Sequence, residues 1–251
     1  LIRLSRSAMP WTLAALLALL YLFIFLTYTT STNSAFEPSL LPFGQMPSML
    51  LATFIAIGNV IPAVSIGAYV GGRDYAQRTA GSAVVWSGRC RMVLGKVLAT
   101  TIAMITFVIA SALFGIAVGV TRDSTVANLQ LDKLFQQVLL TSLASIMLAL
   151  AALAVATATR STGLANLLLL LLLFGQMFAP PDVAQALRFV NPLTVLGGFA
   201  QPAFSNLAGL KNVAITFASD LSAAQATLGT ALYLGVCLAV TAGIVRYREF
   251  R

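Results

Sequence analysis

The sequence predicts an all-α polytopic membrane protein with six transmembrane helices, both termini cytoplasmic. Three observations predict it. Apolar residues make up 59% of the 251 and charged residues only 9%, against about 25% charged in an ordinary soluble domain. Mean hydropathy is +0.93, and the apolar residues fall in runs long enough to cross a bilayer core, which takes roughly 20 residues of helix.

The first run is 9–28. The second, 48–70, carries Asn59 and Pro62 in its middle. The third, 97–120, is uninterrupted, and the fourth is 134–158. The fifth, 164–179, is short and holds seven consecutive leucines, Leu167–Leu173. The sixth is 223–245. Backbone in lipid must satisfy its own hydrogen bonds, and these runs do not alternate as the strands of a barrel would, so each is expected to be a helix. A single transmembrane unit is expected, with no appended soluble domain and no cleaved signal peptide, since the first run lacks a small-residue cleavage site.

Orientation follows the lysine and arginine bias of cytoplasmic loops. With six spans, one side collects eleven of the fifteen basic residues: Arg3, Arg6, Arg73, Arg78, Arg89, Arg91, Lys96, Arg160, Arg246, Arg248 and Arg251. The other side holds four, with five of the seven acids. The net charge of +8 is thus a topology signal, and no nucleic-acid partner is implied. Exposed segments outside are 29–47, 121–133 and 180–222. Inside lie 71–96 and a turn at 160–163.

Several chemistries are missing. There is no histidine and there are two cysteines, Cys90 and Cys237, so neither a metal centre nor a disulfide framework is expected. Gly88 through Lys96 fails as a phosphate loop, which needs GxxxxGK followed by Ser or Thr. No run contains an acid that could couple proton movement, and no catalytic constellation is visible. The polar residues inside the runs, Asn59, Thr141, Ser142, Ser145, Asn166, Gln176 and Gln225, suit hydrogen bonds between helices. Gly67/Gly71 and Gly115/Gly119 are small-xxx-small pairs that permit close helix approach.

The segment GGRDYAQRTAGSAVVWSGRCRMVLGK, 71–96, stands out for carrying five of the fifteen basic residues between two apolar runs. Gly71 and Gly72 are expected to break the second helix. Tyr75, Thr79, Ala83 and Trp86 then share one face of a short helix over 74–86, with Asp74 and Arg78 spaced to pair. Ser87 and Gly88 end it, and Arg89, Arg91 and Lys96 lead into the third helix as interfacial anchors. Such a helix suits either docking of another protein or contact with anionic membrane lipid.

This segment resembles the cytoplasmic loop of type-2 ABC exporter permeases. The resemblance rests on Asp74-Tyr75, Arg78-Thr79, Ser87-Gly88-Arg89 and Gly95-Lys96. The chain departs from the usual pattern in having Asp74 for Glu, Arg78 for Gly and Ser87 for Pro. Leu1–Arg6 resembles the elbow helix before the first span of that family, and PPDVAQALRFVNPLTVLGGF, 180–199, resembles its external re-entrant segment. The resemblance implies a permease paired with a second copy or a paralogue. A separate ATPase subunit, carrying ATP and Mg, would dock on a coupling helix formed by Asp74, Tyr75, Arg78, Thr79, Ala83, Trp86 and Arg89. Asn191 and Pro192 would serve external gating, and the setting would be a bacterial plasma membrane. The expected cargo is amphipathic or lipophilic. An ATP-independent membrane scaffold or immunity protein is the alternative.

Overall fold

The computed structural model of the chain describes residues 59–77, 88–120, 131–175, 192, 195–196 and 222–247. Among the described residues there is no strand. The helices are α1 Val60–Ala76, α2 Arg89–Val120, α3 Leu131–Thr159, α4 Thr162–Gly175 and α5 Ala223–Tyr247. Three stretches are long and apolar enough to cross a membrane: Arg89–Phe114, Val138–Thr159 and Ala223–Tyr247. The apolar part of α4, Thr162–Leu173, is shorter. The run 9–28 and the first part of 48–70 lie outside the described residues.

The centre of the bundle is α3, which touches all four other helices. Its middle is buried on every side, from Met147 through Ala154. A helix apolar all round belongs in such a position. Six of its buried residues are alanines: Ala144, Ala149, Ala151, Ala152, Ala154 and Ala156. Lipid tails supply no hydrophobic drive for helices to associate, so close packing of small residues must do it. The tightest case is α1, whose Gly67 and Gly71 press against Ala149, Leu153 and Ala156.

The outer helices each turn a narrow stripe inward. On α2 it is Met92, Lys96, Thr100, Met104, Val108 and Ala112, one residue per turn. On α4 it is Ala165, Leu169 and Leu173, and on α5 Ala226, Cys237, Thr241 and Val245. The opposite faces are large and apolar: Leu94, Leu98, Ile102, Ile109 and Leu113 on α2, and Leu228, Leu232 and Val236 on α5. Such faces are what hydrocarbon tolerates and water does not.

Three sequence expectations change. Gly71 and Gly72 do not break the second helix, since α1 runs through them to Ala76. In a tightly packed helix the missing side chains are what lets α3 and α4 approach, and the intact backbone ladder keeps its hydrogen bonds. The third helix starts at Arg89 rather than Val97, eight residues early. Gly88, with φ of +74°, supplies the left-handed turn before it. Gln225, expected to bond between helices, bonds instead at the start of its own helix. It accepts from the Ser222 backbone N–H at 3.0 Å, while the Gln225 N–H donates to Ser222 Oγ at 3.3 Å. This reciprocal box starts α5.

The fourth run extends to Leu131–Thr159 and the sixth to Ala223–Tyr247. Pro62 sits in the first turn of α1 as described, where its missing N–H costs little.

Candidate polar tie between the helix ends

Since α1 and α2 are consecutive and antiparallel, the C-terminal turns of α1 meet the N-terminal turns of α2. The turn between α3 and α4 arrives at the same end. So do the last residues of α5, where Arg89 Nη1 donates to the Arg246 carbonyl. A guanidinium at that helix C-terminus also faces the negative end of the helix dipole.

The focus of this end is Lys96. Its Nζ lies 3.1 Å from Asp74 Oδ2 and donates to the Gly71 carbonyl at 3.3 Å. The Lys96 side chain is 8% exposed and that of Asp74 22%. The ammonium also stands 5.5 Å from the Tyr75 ring centroid, and the Arg160 guanidinium stands 5.8 Å from the same ring. One acid and one ring thus hold two cations from two different elements. An ammonium this deep would cost several kcal/mol without an opposite charge. Asp74 supplies that charge, and the C-terminal end of α1 adds the favourable sign of its dipole.

Arg160 reaches the ring because it occupies the left-handed region, φ 58°. That conformation ends α3, and Ser161 Oγ then accepts from the Leu164 N–H at 3.3 Å to start α4. Gly72 is packed beneath this turn, where a Cβ would stand 2.7 Å from Thr162 Cγ2.

The sequence expectation for Lys96 as an interfacial anchor is therefore corrected. It is buried because α2 begins two turns earlier, which places position 96 inside the bundle. Asp74 and Tyr75 are likewise corrected. They belong to the last turns of α1 and do not open a separate helix. Arg78, Thr79, Ala83 and Trp86 lie outside the described residues, as does the expected pairing of Arg78 with Asp74. Arg89 opens α2 and is exposed.

A second tie joins the same two helices at the other end, where Asn59 Nδ2 donates to Ser111 Oγ at 3.2 Å, both buried. Asn59 and Asp74 are fifteen residues apart on α1, as are Lys96 and Ser111 on α2. At 1.5 Å per residue both intervals span about 22 Å, so the two ties are in register. Nothing in the composition singles out Ser111 or Arg160. The four-residue spacing from Lys96 through Thr100, Met104 and Val108 is the one signal that puts Lys96 on the inward stripe.

Pro192, helical and buried, lies in the segment expected to gate externally, and Asn191 lies outside the described residues. Nearby, Val195 packs on α5, where a Cβ at Gly229 would stand 2.9 Å from Val195 Cγ1. Among the described residues no three metal-ligating side chains cluster.

No protein-family model matches the chain, and no curated protein or solved structure matches it.

Proposed function

We propose that the chain is the membrane-spanning permease subunit of an ATP-driven exporter of the type-2 ABC class. It crosses a bacterial plasma membrane six times with both termini inside and pairs with a second permease. A separate ATPase subunit hydrolyses ATP. The observation that carries the reading is the tie of Asp74 and Tyr75 to Lys96 and Arg160. It joins α1 and α2, the helices that flank 78–87, to each other and to the turn between α3 and α4, so a partner pressing between them would act on buried helices. The resemblance of 71–96 to the family's coupling loop supplies the partner, and the basic residues at this end supply the orientation.

The substrate class follows from the helices. Apart from the Asp74–Lys96 pair at one end, their buried polar groups are hydroxyls and amides, several engaged with their own backbone, as in Ser142 to Val138, Thr157 to Leu153 and Thr241 to Cys237. Such walls favour an amphipathic or lipophilic cargo over a metal ion or a charged sugar.

The test is co-expression with the ATPase encoded beside it, followed by purification in detergent and assay of ATP hydrolysis with lipophilic compounds. A stable complex with stimulated turnover is expected. A chain that purifies alone and binds no ATPase overturns this reading in favour of an ATP-independent scaffold.

A further inference from the structure

We infer that the Asp74–Lys96 pair is a latch that makes α1 and α2 move as one body at this end. This rests on the reading of 71–96 as the coupling element, and it names the residues that transmit the motion. Between Ala76 and Arg89 the chain must cross from one helix to the next, and a displacement there could tilt α1 alone, α2 alone, or both. The ion pair removes the first two options at this end. Lys96 grips α1 twice, through the Asp74 carboxylate and through the Gly71 carbonyl.

The grip on Gly71 matters separately. That residue is pressed on α3, where its Cβ would meet the Leu153 carbonyl oxygen at 2.7 Å. Lys96 therefore holds α2 to the turn of α1 that is itself seated on the central helix. The Asn59–Ser111 bond, in register some 22 Å away, fixes the same two helices at their far ends. Two points of attachment on a pair of helices prevent pivoting as well as sliding.

A purely structural pair and a latch differ in what a neutral replacement does. Replacing both members of a buried ion pair by uncharged groups is often neutral for folding, whereas removing one leaves an uncompensated charge. The variants are Lys96→Met, Asp74→Asn and the double Asp74→Asn/Lys96→Met, made in the full chain and purified with its ATPase. The first measurement is amide hydrogen exchange over 71–77 and 88–96, which needs no ATPase. In the double variant, thermal stability is expected to stay near that of the parent. Exchange in both segments is expected to rise together by about tenfold or more, scaled down from a fully buried pair because Asp74 is partly exposed. Parent-like exchange, or a rise confined to one segment, overturns the latch.

The second measurement is maleimide labelling of the exposed Cys90 in the complex, with and without nucleotide. Lys96→Met, which leaves the expected docking residues in place, is expected to retain the ATPase but to lose the nucleotide-dependent change in rate shown by the parent. Retention of that change overturns the latch as well. If the parent chain binds no ATPase, the functional reading fails, and the exchange measurement alone decides the latch.

Discussion

Gly67 and Ala149 touch backbone to backbone. A Cβ built on Gly67 would stand 2.0 Å from the Ala149 carbonyl oxygen and 2.8 Å from its Cα. No side-chain adjustment relieves that, because the obstacles are main-chain atoms of the central helix. One turn further along α1, a Cβ built on Gly71 would stand 2.7 Å from the Leu153 carbonyl oxygen and 2.9 Å from the Ala156 Cβ. The seam between α1 and α3 is therefore set by two glycines.

The first prediction follows directly. Gly67→Ala has to separate α1 from α3 and is expected to cost at least about 1–3 kcal/mol, the usual range for overpacking. Gly71→Ala is expected to cost less than Gly67→Ala. Gly95→Ala is the control, since nothing lies within 4 Å of its Cβ position. It should be neutral or slightly stabilising through helix propensity. Thermal unfolding in detergent ranks the three, and a Gly67→Ala variant as stable as Gly95→Ala would contradict the seam.

How much of this was legible in the sequence can be judged from the same glycines. The spacing of Gly67 and Gly71 marks a face that permits close approach, but nothing in it names Ala149 or Leu153 as partners. That depends on the register between helices, which one sequence does not encode in any local pattern. Gly71 and Gly72 also read as a helix breaker, by the rule that holds where water competes for the backbone. Inside a packed apolar bundle the helix is the one way to keep those amides bonded, so it continues. The burial of Lys96 is hidden from the sequence for a related reason. A charge beside an apolar run reads as an interfacial anchor until its partner is known, and Asp74 lies 22 positions away in the sequence. Membrane class, helix content and the position of α5 needed only composition and run length.

The Asn59–Ser111 bond carries a second prediction. Hydrogen bonds between membrane helices average about 0.6 kcal/mol in double-mutant cycles. Ser111→Ala is expected to cost about 1–2 kcal/mol, because it also strips a bond from a buried amide. The coupling energy from a cycle with Asn59→Ala should be below that single loss. Additive single losses, with no coupling, would mean that the two side chains do not interact in the bilayer.

The two cysteines report orientation. Cys90 is exposed at the start of α2, and Cys237 is buried within α5. A membrane-impermeant maleimide is expected to label Cys90 in inverted vesicles and to leave it largely unmodified in intact cells. Cys237 should resist the reagent from both sides until the protein is denatured. Labelling of Cys90 from outside the cell would reverse the topology and with it the placement of the 71–96 segment.

The turn at Arg160 separates backbone from side chain. A left-handed residue with a Cβ costs roughly 1–2 kcal/mol, and Arg160 bears that cost at φ 58° while placing its guanidinium 5.8 Å from the Tyr75 ring. A cation over an aromatic face contributes about 0.5–1 kcal/mol where partly exposed. Arg160→Ala keeps the strained backbone and loses the cation, so it is expected to be destabilised by up to about 1 kcal/mol. Arg160→Gly loses the same cation but relaxes the turn, because glycine takes positive φ freely. It is expected to match or exceed the parent in thermal unfolding. Equal stability of the two variants would mean that the relief of the turn only offsets the freedom that glycine adds to the unfolded chain. If Arg160→Gly fell below Arg160→Ala, the freedom that glycine adds to the unfolded chain would outweigh the relief of the turn, and the expectation would fail.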